Sequence, residues 1–265
     1  MKRWIPFMKS HPQVAVVRLS GVISSSGRGS LNDAGIGPVL ERAFTRGKPD
    51  AVALVINSPG GSPVQSALIG ARIRRLADEK GIRVYAFVED VAASGGYWLA
   101  SSADEIYADA SSIVGSIGVI SSGFGLSEFI ERHGIERRVY TAGKSKSTND
   151  PFKPEKPADV RRLKGLLDQI HDVFKAQVTE RRGDKLAADT DIFTGEYWIG
   201  AQAIELGLID GLGHLSSKMK ELYGEKVSLI RYDQRRPFWR RFGINIVDDV
   251  VSNIEERAEY ARFGL

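Results

Sequence analysis

The apolar residues of this chain fall into two rhythms. Short runs rich in β-branched residues read as strands: Val14-Ala15-Val16-Val17-Arg18-Leu19, Ala51-Val52-Ala53-Leu54-Val55-Ile56 and Val84-Tyr85-Ala86-Phe87-Val88. The second and third are continuously apolar, the signature of strands buried on both faces. Glu105-Ile106-Tyr107-Ala108 predicts a further short strand, and Val227 to Arg231 a last one. Between the second and third strands the rhythm changes to helical spacing, with Val64, Leu68, Ile69, Ile73 and Leu76 inside Ser62 to Lys80 and Gly81 as the closing cap. Ser24 to Gly37, rich in Ser, Gly and Asn, predicts a loop, and Pro38 to Arg46 a helix with proline near its first turn. A further helix begins at Ser94 and runs to Ser102. This alternation predicts an α/β fold with a mostly parallel sheet.

Past the sheet the pattern becomes helical. Val160, Leu163, Leu166, Leu167, Ile170, Val173 and Phe174 give Pro157 to Arg182 a long amphipathic repeat. Gly200 to Leu206 predicts a short helix before the turn Gly207-Leu208-Ile209-Asp210-Gly211. From Arg235 the chain is basic and aromatic: Arg235, Arg236, Phe238, Trp239, Arg240, Arg241 and Phe242. The expected organisation is one domain over 1–235 with a helical extension over 236–265. That extension reads as an oligomer-facing or surface helix, or as a membrane-surface contact through its interleaved aromatics and arginines.

Composition narrows the class. With 265 residues, 42% hydrophobic and 26% charged, the chain has the balance of a globular protein. A net charge of +4, with Lys and Arg scattered, argues against nucleic-acid binding, which needs clustered basic residues. Absence of cysteine removes disulfides, thiolate zinc sites and cysteine nucleophiles. The N-terminal apolar stretch, Trp4 to Met8, is ended by Lys9, so neither an export signal nor a membrane-spanning segment is expected. The expected location is cytoplasmic, with contact to the membrane surface allowed.

Two glycine turns fall just after strands and just before helices, where active groups of open α/β sheets collect. One is Asn57-Ser58-Pro59-Gly60-Gly61-Ser62; the other holds Ser94 in Val91-Ala92-Ala93-Ser94-Gly95-Gly96-Tyr97-Trp98. A serine flanked by alanine and glycine has an uncrowded hydroxyl, and nearby glycine N–H groups suit a tetrahedral oxyanion. The plain alternatives are an N-cap serine and a strand-to-helix connection. The segment is not a G-x-S-x-G elbow, since Ala92 stands where the leading glycine would be. A phosphate cradle is rejected because no G-x-x-x-x-G-K-[ST] run is present. His11, His133, His171 and His214 all lie outside glycine-rich contexts and read as surface or packed residues, so a Ser-His-Asp triad lacks positive support. Lysine is the alternative base, in the loop Gly143-Lys144-Ser145-Lys146. It must be neutral near pH 7, a drop of roughly three units from about 10.4, which burial against apolar walls can supply.

These segments resemble bacterial signal peptide peptidases of the SppA type (protease IV, the S49 serine peptidases). Ala93-Ser94-Gly95-Gly96-Tyr97-Trp98 resembles the nucleophile motif, and Gly115-Ser116-Ile117-Gly118 follows at the family's spacing. Lys146-Ser147 followed by Pro151-Phe152 resembles the base loop; Lys144 is the alternative, and the distance to Pro151-Phe152 favours Lys146. Phe193-Thr194-Gly195 and Ala203 to Asp210 resemble the C-terminal motif. Departures are Ser145, where an aromatic residue often precedes the base, and the missing N-terminal anchor.

The resemblance implies a ClpP/crotonase-like fold and hydrolysis of apolar peptides such as signal-peptide remnants, with no cofactor or metal. Lys146 would take the proton from Ser94, which attacks the carbonyl. Gly95 N–H, with Gly60 or Gly61 N–H, would hold the oxyanion, and Ser116 would orient the lysine. The resemblance also implies a ring- or dome-like homo-oligomer, an octamer among its forms, with active sites shared between subunits. A crotonase-type acyl-CoA enzyme and a non-catalytic partner of a membrane protein are the rival readings.

Overall fold

The computed structural model describes residues 11–25, 30–143, 145–233, 257 and 259–265. They form two compact units, one from the residues up to Ile117 together with those from Lys175 on, the other Gly118–Phe174.

The first unit is built on an eight-stranded sheet in the order β6-β5-β3-β2-β1-β8, with β4 pairing β3 and β7. The strands are β1 (Gln13–Ser20), β2 (Ala51–Ser58), β3 (Arg83–Ala93), β4 (Glu105–Ala108), β5 (Ile113–Gly115), β6 (Tyr197–Ile199), β7 (Gly211–Leu212) and β8 (Ser228–Tyr232). All pairings are parallel except β5 with β6. The helices are α1 (Asp33–Thr45), α2 (Pro63–Lys80), α3 (Gly95–Ser101), α4 (Ser127–Arg132), α5 (Pro157–Arg182), α6 (Gly200–Glu205) and α7 (Leu215–Tyr223). The steps β1-α1-β2 and β2-α2-β3 run the same way across the sheet, so right-handed crossovers put α1 and α2 on one face. The return from β7 to β8 puts α7 on the other, where Met219 joins one buried cluster with Val14, Val16, Ala53, Val55, Tyr85 and Phe87. This is the α/β arrangement, with a mostly parallel sheet and flanking helices, that the resemblance implies.

The helix expected at Pro38 begins earlier, at Asp33. Asn32 caps it by accepting from Gly35 N–H at 2.9 Å, and Pro38 sits inside the helix. The cap, and not the proline, sets the start. α2 ends as its sequence predicts, on Gly81 in the left-handed region at φ 63°. The repeat in α5 is buried only toward its C-terminal end: Phe174 and Val178 are buried, while Leu166 and Val173 are exposed.

α5 is tied down by Arg182. Its guanidinium is buried, donates to Gly207 O at 2.7 and 2.9 Å, and pairs with Asp210 at 2.7 Å. Asp210 also accepts from Lys185 Nζ and Ile106 N–H. Burial alone would raise the Asp210 carboxyl, but these partners outweigh it and hold it below its ordinary value. Tyr97, fully buried, donates to Leu208 O at 2.8 Å, and burial pushes its hydroxyl well up. The Ala203–Asp210 motif is thereby joined to α3 and β4.

Candidate active site

β3 delivers Ser94 to the end of the sheet, and α3 starts immediately after it. Ser94 sits at φ 51°, ψ −121°, a conformation that side-chain-bearing residues rarely adopt, and its side chain makes no capping hydrogen bond to α3. The N-cap alternative is therefore not realised. From Val91 to Ala103 every residue is buried except Ser94. Its backbone is locked on both sides, by Ser94 N–H donating to Gly115 O at 2.8 Å and Trp98 N–H donating to Ser94 O at 3.0 Å. A strained, only half-buried serine on a strand-to-helix turn is the arrangement of a nucleophile elbow, reached here without the leading glycine.

The second glycine turn lies against the first. A Cβ added to Gly60 (φ 101°) would come within 2.8 Å of Ala93 O and Gly95 N, and within 2.9 Å of Ser94 Cβ. A Cβ on Gly96 would come within 2.3 Å of Ser58 O. Glycine is needed at these positions because the two turns touch backbone to backbone. The sequence reads these glycines as sources of N–H groups for an oxyanion; the structure uses Gly60 and Gly96 also to bring the turns together.

The donors at this junction differ. Gly60 N–H is engaged with Ser58 Oγ at 3.2 Å, and Ser58 Oγ donates to Gly21 O at 2.7 Å. Gly61 lies between two ladder bonds, Ile23 N–H to Gly60 O at 2.8 Å and Ser62 N–H to Ile23 O at 2.7 Å. That geometry turns the Gly61 N–H away from Ile23. Gly95 is the first residue of α3, where helix N–H groups have no intrahelical acceptor.

Ser116 also comes to this end of the sheet. Ala93 pairs with Gly115 across β3 and β5, and Ser116 follows at φ 51°, its N–H donating to Glu196 O at 2.7 Å. Ser94, Gly60, Gly61, Gly95 and Ser116 thus gather in the first unit. Lys146 belongs to the second unit, exposed on a turn where its N–H donates to Gly143 O at 3.2 Å. In the same unit Asp150 accepts from Phe152 N–H, which with Arg137 holds its carboxyl below the ordinary value, and Pro151 O accepts from Leu126 N–H. Lys144 and the basic-aromatic residues Arg235 to Phe242 lie outside the described residues.

His11, His133 and His214 are exposed and His171 is half-buried. Among the described residues no cluster of His, Asp or Glu could hold a metal ion, and no helix is long and apolar enough to cross a membrane.

One residue of the site carried no signal in the sequence. Asn57, just before Ser58, donates from its side-chain amide to Asp90 Oδ2 at 2.6 Å, and its Oδ1 is buried without a partner. It marks a slip in register: between the pairs Ile56–Val88 and Ser58–Ala92, β2 advances two residues and β3 four.

Comparison with known proteins agrees with the motifs. The chain is 46% identical over its whole length to part of the Na(+)/H(+) antiporter NhaA of Brucella abortus, of which it spans 39%. It is 30% identical over 91% of its length to the probable protease SohB of Haemophilus influenzae, spanning 67% of that protein. It is 28% identical over 82% of its length to a putative signal peptide peptidase SppA of Enterococcus faecium, spanning 64% of it. Residues 77–227, more than half of the chain, match the profile of peptidase family S49. With Ser94 and Ser116 inside the matched region, and a strand-end serine turn as its central feature, the chain belongs to peptidase family S49.

Proposed function

We propose that this chain is a serine endopeptidase in which Ser94 is the nucleophile and Lys146 the general base, acting on apolar peptides such as signal-peptide remnants. The observation that carries the reading is the Ser94 backbone, strained at φ 51° with its hydroxyl uncapped, and Ser94 alone only half-buried within a buried stretch. Strain of this kind costs about 1–3 kcal/mol and persists where surrounding structure over-determines it, most often at functional sites.

In the proposed reaction, Lys146 in its neutral form takes the Ser94 proton as Oγ attacks the scissile carbonyl carbon. The oxyanion is held by Gly61 and Gly95 N–H, the better pair because Ser58 engages Gly60 N–H. The protonated lysine then gives its proton to the leaving amine. A water, deprotonated by the same lysine, hydrolyses the acyl-enzyme and frees Ser94. Ser116, beside the Ser94 strand, orients the lysine. Lys146 is exposed within this chain, so the desolvation a lysine base needs must come from covering that turn. Phe124 and Tyr140 of the same unit are 85% and 92% exposed, which supports a homo-oligomer whose subunits share active sites. The name of the Enterococcus relative supports signal peptides as substrates.

A second reading is a module that serves a membrane cation transporter without cleaving peptides. It is favoured by the 46% identity to proteins named as antiporters. One set of measurements separates the two: fluorophosphonate labelling and cleavage of a fluorogenic apolar peptide by wild type, Ser94→Ala and Lys146→Ala, with assembly state followed for each. The peptidase reading expects no labelling or cleavage in Ser94→Ala and a loss of at least about 100-fold in Lys146→Ala. Wild-type activity in Ser94→Ala would exclude the nucleophile, and an assembled but inert wild type would favour the transporter module. Retained activity in Lys146→Ala would move the base to another residue, with Lys144 next.

A further inference from the structure

The segment Glu259–Leu265 returns to the first unit and touches the ends of the strands that carry the candidate site. Tyr260 Oη donates to Asn57 O at 2.8 Å. Phe263 is 8% exposed and packs on Val91 and Ala93 of β3, with Ile113 of β5 and Tyr260 beside it. Its ring also meets the Tyr197 ring of β6 edge-on, with centroids 5.2 Å apart.

Two of these contacts fall immediately before residues the site depends on: Asn57 before the Ser58 turn and Ala93 before Ser94. Asn57 precedes the Ser58-Pro59-Gly60-Gly61 turn; it pairs with Ser20 of β1, but on its other side β2 and β3 lose register, so the ladder holds it from one side only. Its carbonyl accepts from Gly21 N–H at 3.0 Å and from the Tyr260 hydroxyl. Ala93 precedes Ser94, and Gly115, paired with Tyr197, supplies the carbonyl that holds Ser94 N–H. One short segment thus holds the strand that ends in the oxyanion turn and the strands that fix the serine turn.

We propose that Tyr260 and Phe263 are positioning residues, setting the separation of the Gly60-Gly61 turn from Ser94 and keeping Ser94 in its strained conformation. The proposal rests on the peptidase reading above. A strained residue relaxes when its surroundings loosen. Loss of the hydroxyl would remove one of the two donors to the Asn57 carbonyl and loosen the turn after it; loss of the ring would open the face of β3 just before the nucleophile. Both act on geometry, with no contact to substrate.

The test uses the full chain with Tyr260→Phe, Phe263→Ala and Phe263→Leu. Fluorophosphonate titration counts competent sites and gives the rate of Ser94 modification. Peptide turnover gives kcat and KM per labelled site, and thermal unfolding is measured in parallel. Tyr260→Phe should lower the labelling rate and kcat roughly 3- to 10-fold with KM within about twofold. Phe263→Ala should lower kcat by about 100-fold, and Phe263→Leu should restore most of it by refilling the space. Variants that unfold earlier but label and turn over at the wild-type rate per site would show a purely structural segment and overturn the proposal. Tyr260→Phe, which removes one oxygen, keeps that outcome readable if Phe263→Ala does not fold. A wild type that fails to label, or a Ser94→Ala that still labels, would instead overturn the peptidase reading and this proposal with it.

Discussion

Replacing Gly60 with alanine places a single methyl group between the two turns. At φ 101° the alanine would be strained by about 1–3 kcal/mol. The new Cβ would also stand 2.8 Å from Ala93 O and Gly95 N and 2.9 Å from Ser94 Cβ. Two of these three atoms are backbone, so relief requires the turns to part by about 0.5 Å, at an overpacking cost of about 1–3 kcal/mol. The sum, about 2–6 kcal/mol, corresponds to a fall in Tm of several degrees or more, since about 1 kcal/mol shifts a domain of this size by roughly 2–4 °C. Displacing a nucleophile from its donors by half an ångström should slow turnover by about tenfold or more, since about 1 Å can cost 100-fold. Gly81→Ala is the matched control. It too has positive φ, at 63°, but nothing lies within 4 Å of the added Cβ. It should cost about 1–2 kcal/mol of strain and leave activity intact. Thermal unfolding with fluorophosphonate labelling and peptide turnover reads both variants. If Gly60→Ala labels at the wild-type rate and unfolds at the same temperature as Gly81→Ala, the contact between the turns is not what sets the site.

Two further outcomes follow from the same geometry. Ser94→Gly should abolish labelling yet unfold no earlier than wild type, because relief of strain at φ 51° offsets the roughly 0.5–1 kcal/mol that glycine's flexibility costs elsewhere; a clear drop in Tm would argue against strain at Ser94. Asp210→Asn should destabilise the protein by about 3 kcal/mol at pH 7, because Arg182 is then left buried without its carboxylate. The folded-state pKa of Asp210 lies below its unfolded value, so its contribution is full above the unfolded pKa and is lost as pH falls through the depressed folded one. The stability difference between wild type and Asp210→Asn, followed by denaturant unfolding, should therefore narrow below about pH 4; a constant difference down to pH 3 would contradict it.

The strands and long helices were legible because their residues alternate or repeat with the period of the element. β1, β2 and α5 fall where their apolar runs predict, and α2 ends at Gly81. The two glycine turns were legible as chemistry, since Ser-Pro-Gly-Gly and Ser-Gly-Gly each follow an apolar run. Strands of two or three residues, β5, β6 and β7, gave no periodic signal, and neither did α7 as a cover for the second sheet face. The start of α1 was misplaced because Asn32 outweighs Pro38 as a boundary. In α5 the repeat was real, but period says only which residues share a face. Whether that face is buried depends on what packs there, and Leu166 and Val173 are exposed where Phe174 is not. The sequence by itself determined the α/β class, the order of the main elements and the identity of the serine turn, because these depend on local period and composition. Tertiary structure alone decided the strained φ of Ser94, the contact of Gly60 with it, the register slip at Asn57 and the closure by Tyr260 and Phe263. Each of these is a distance between residues remote in the chain, set by strand pairing and close packing, which local patterning does not encode.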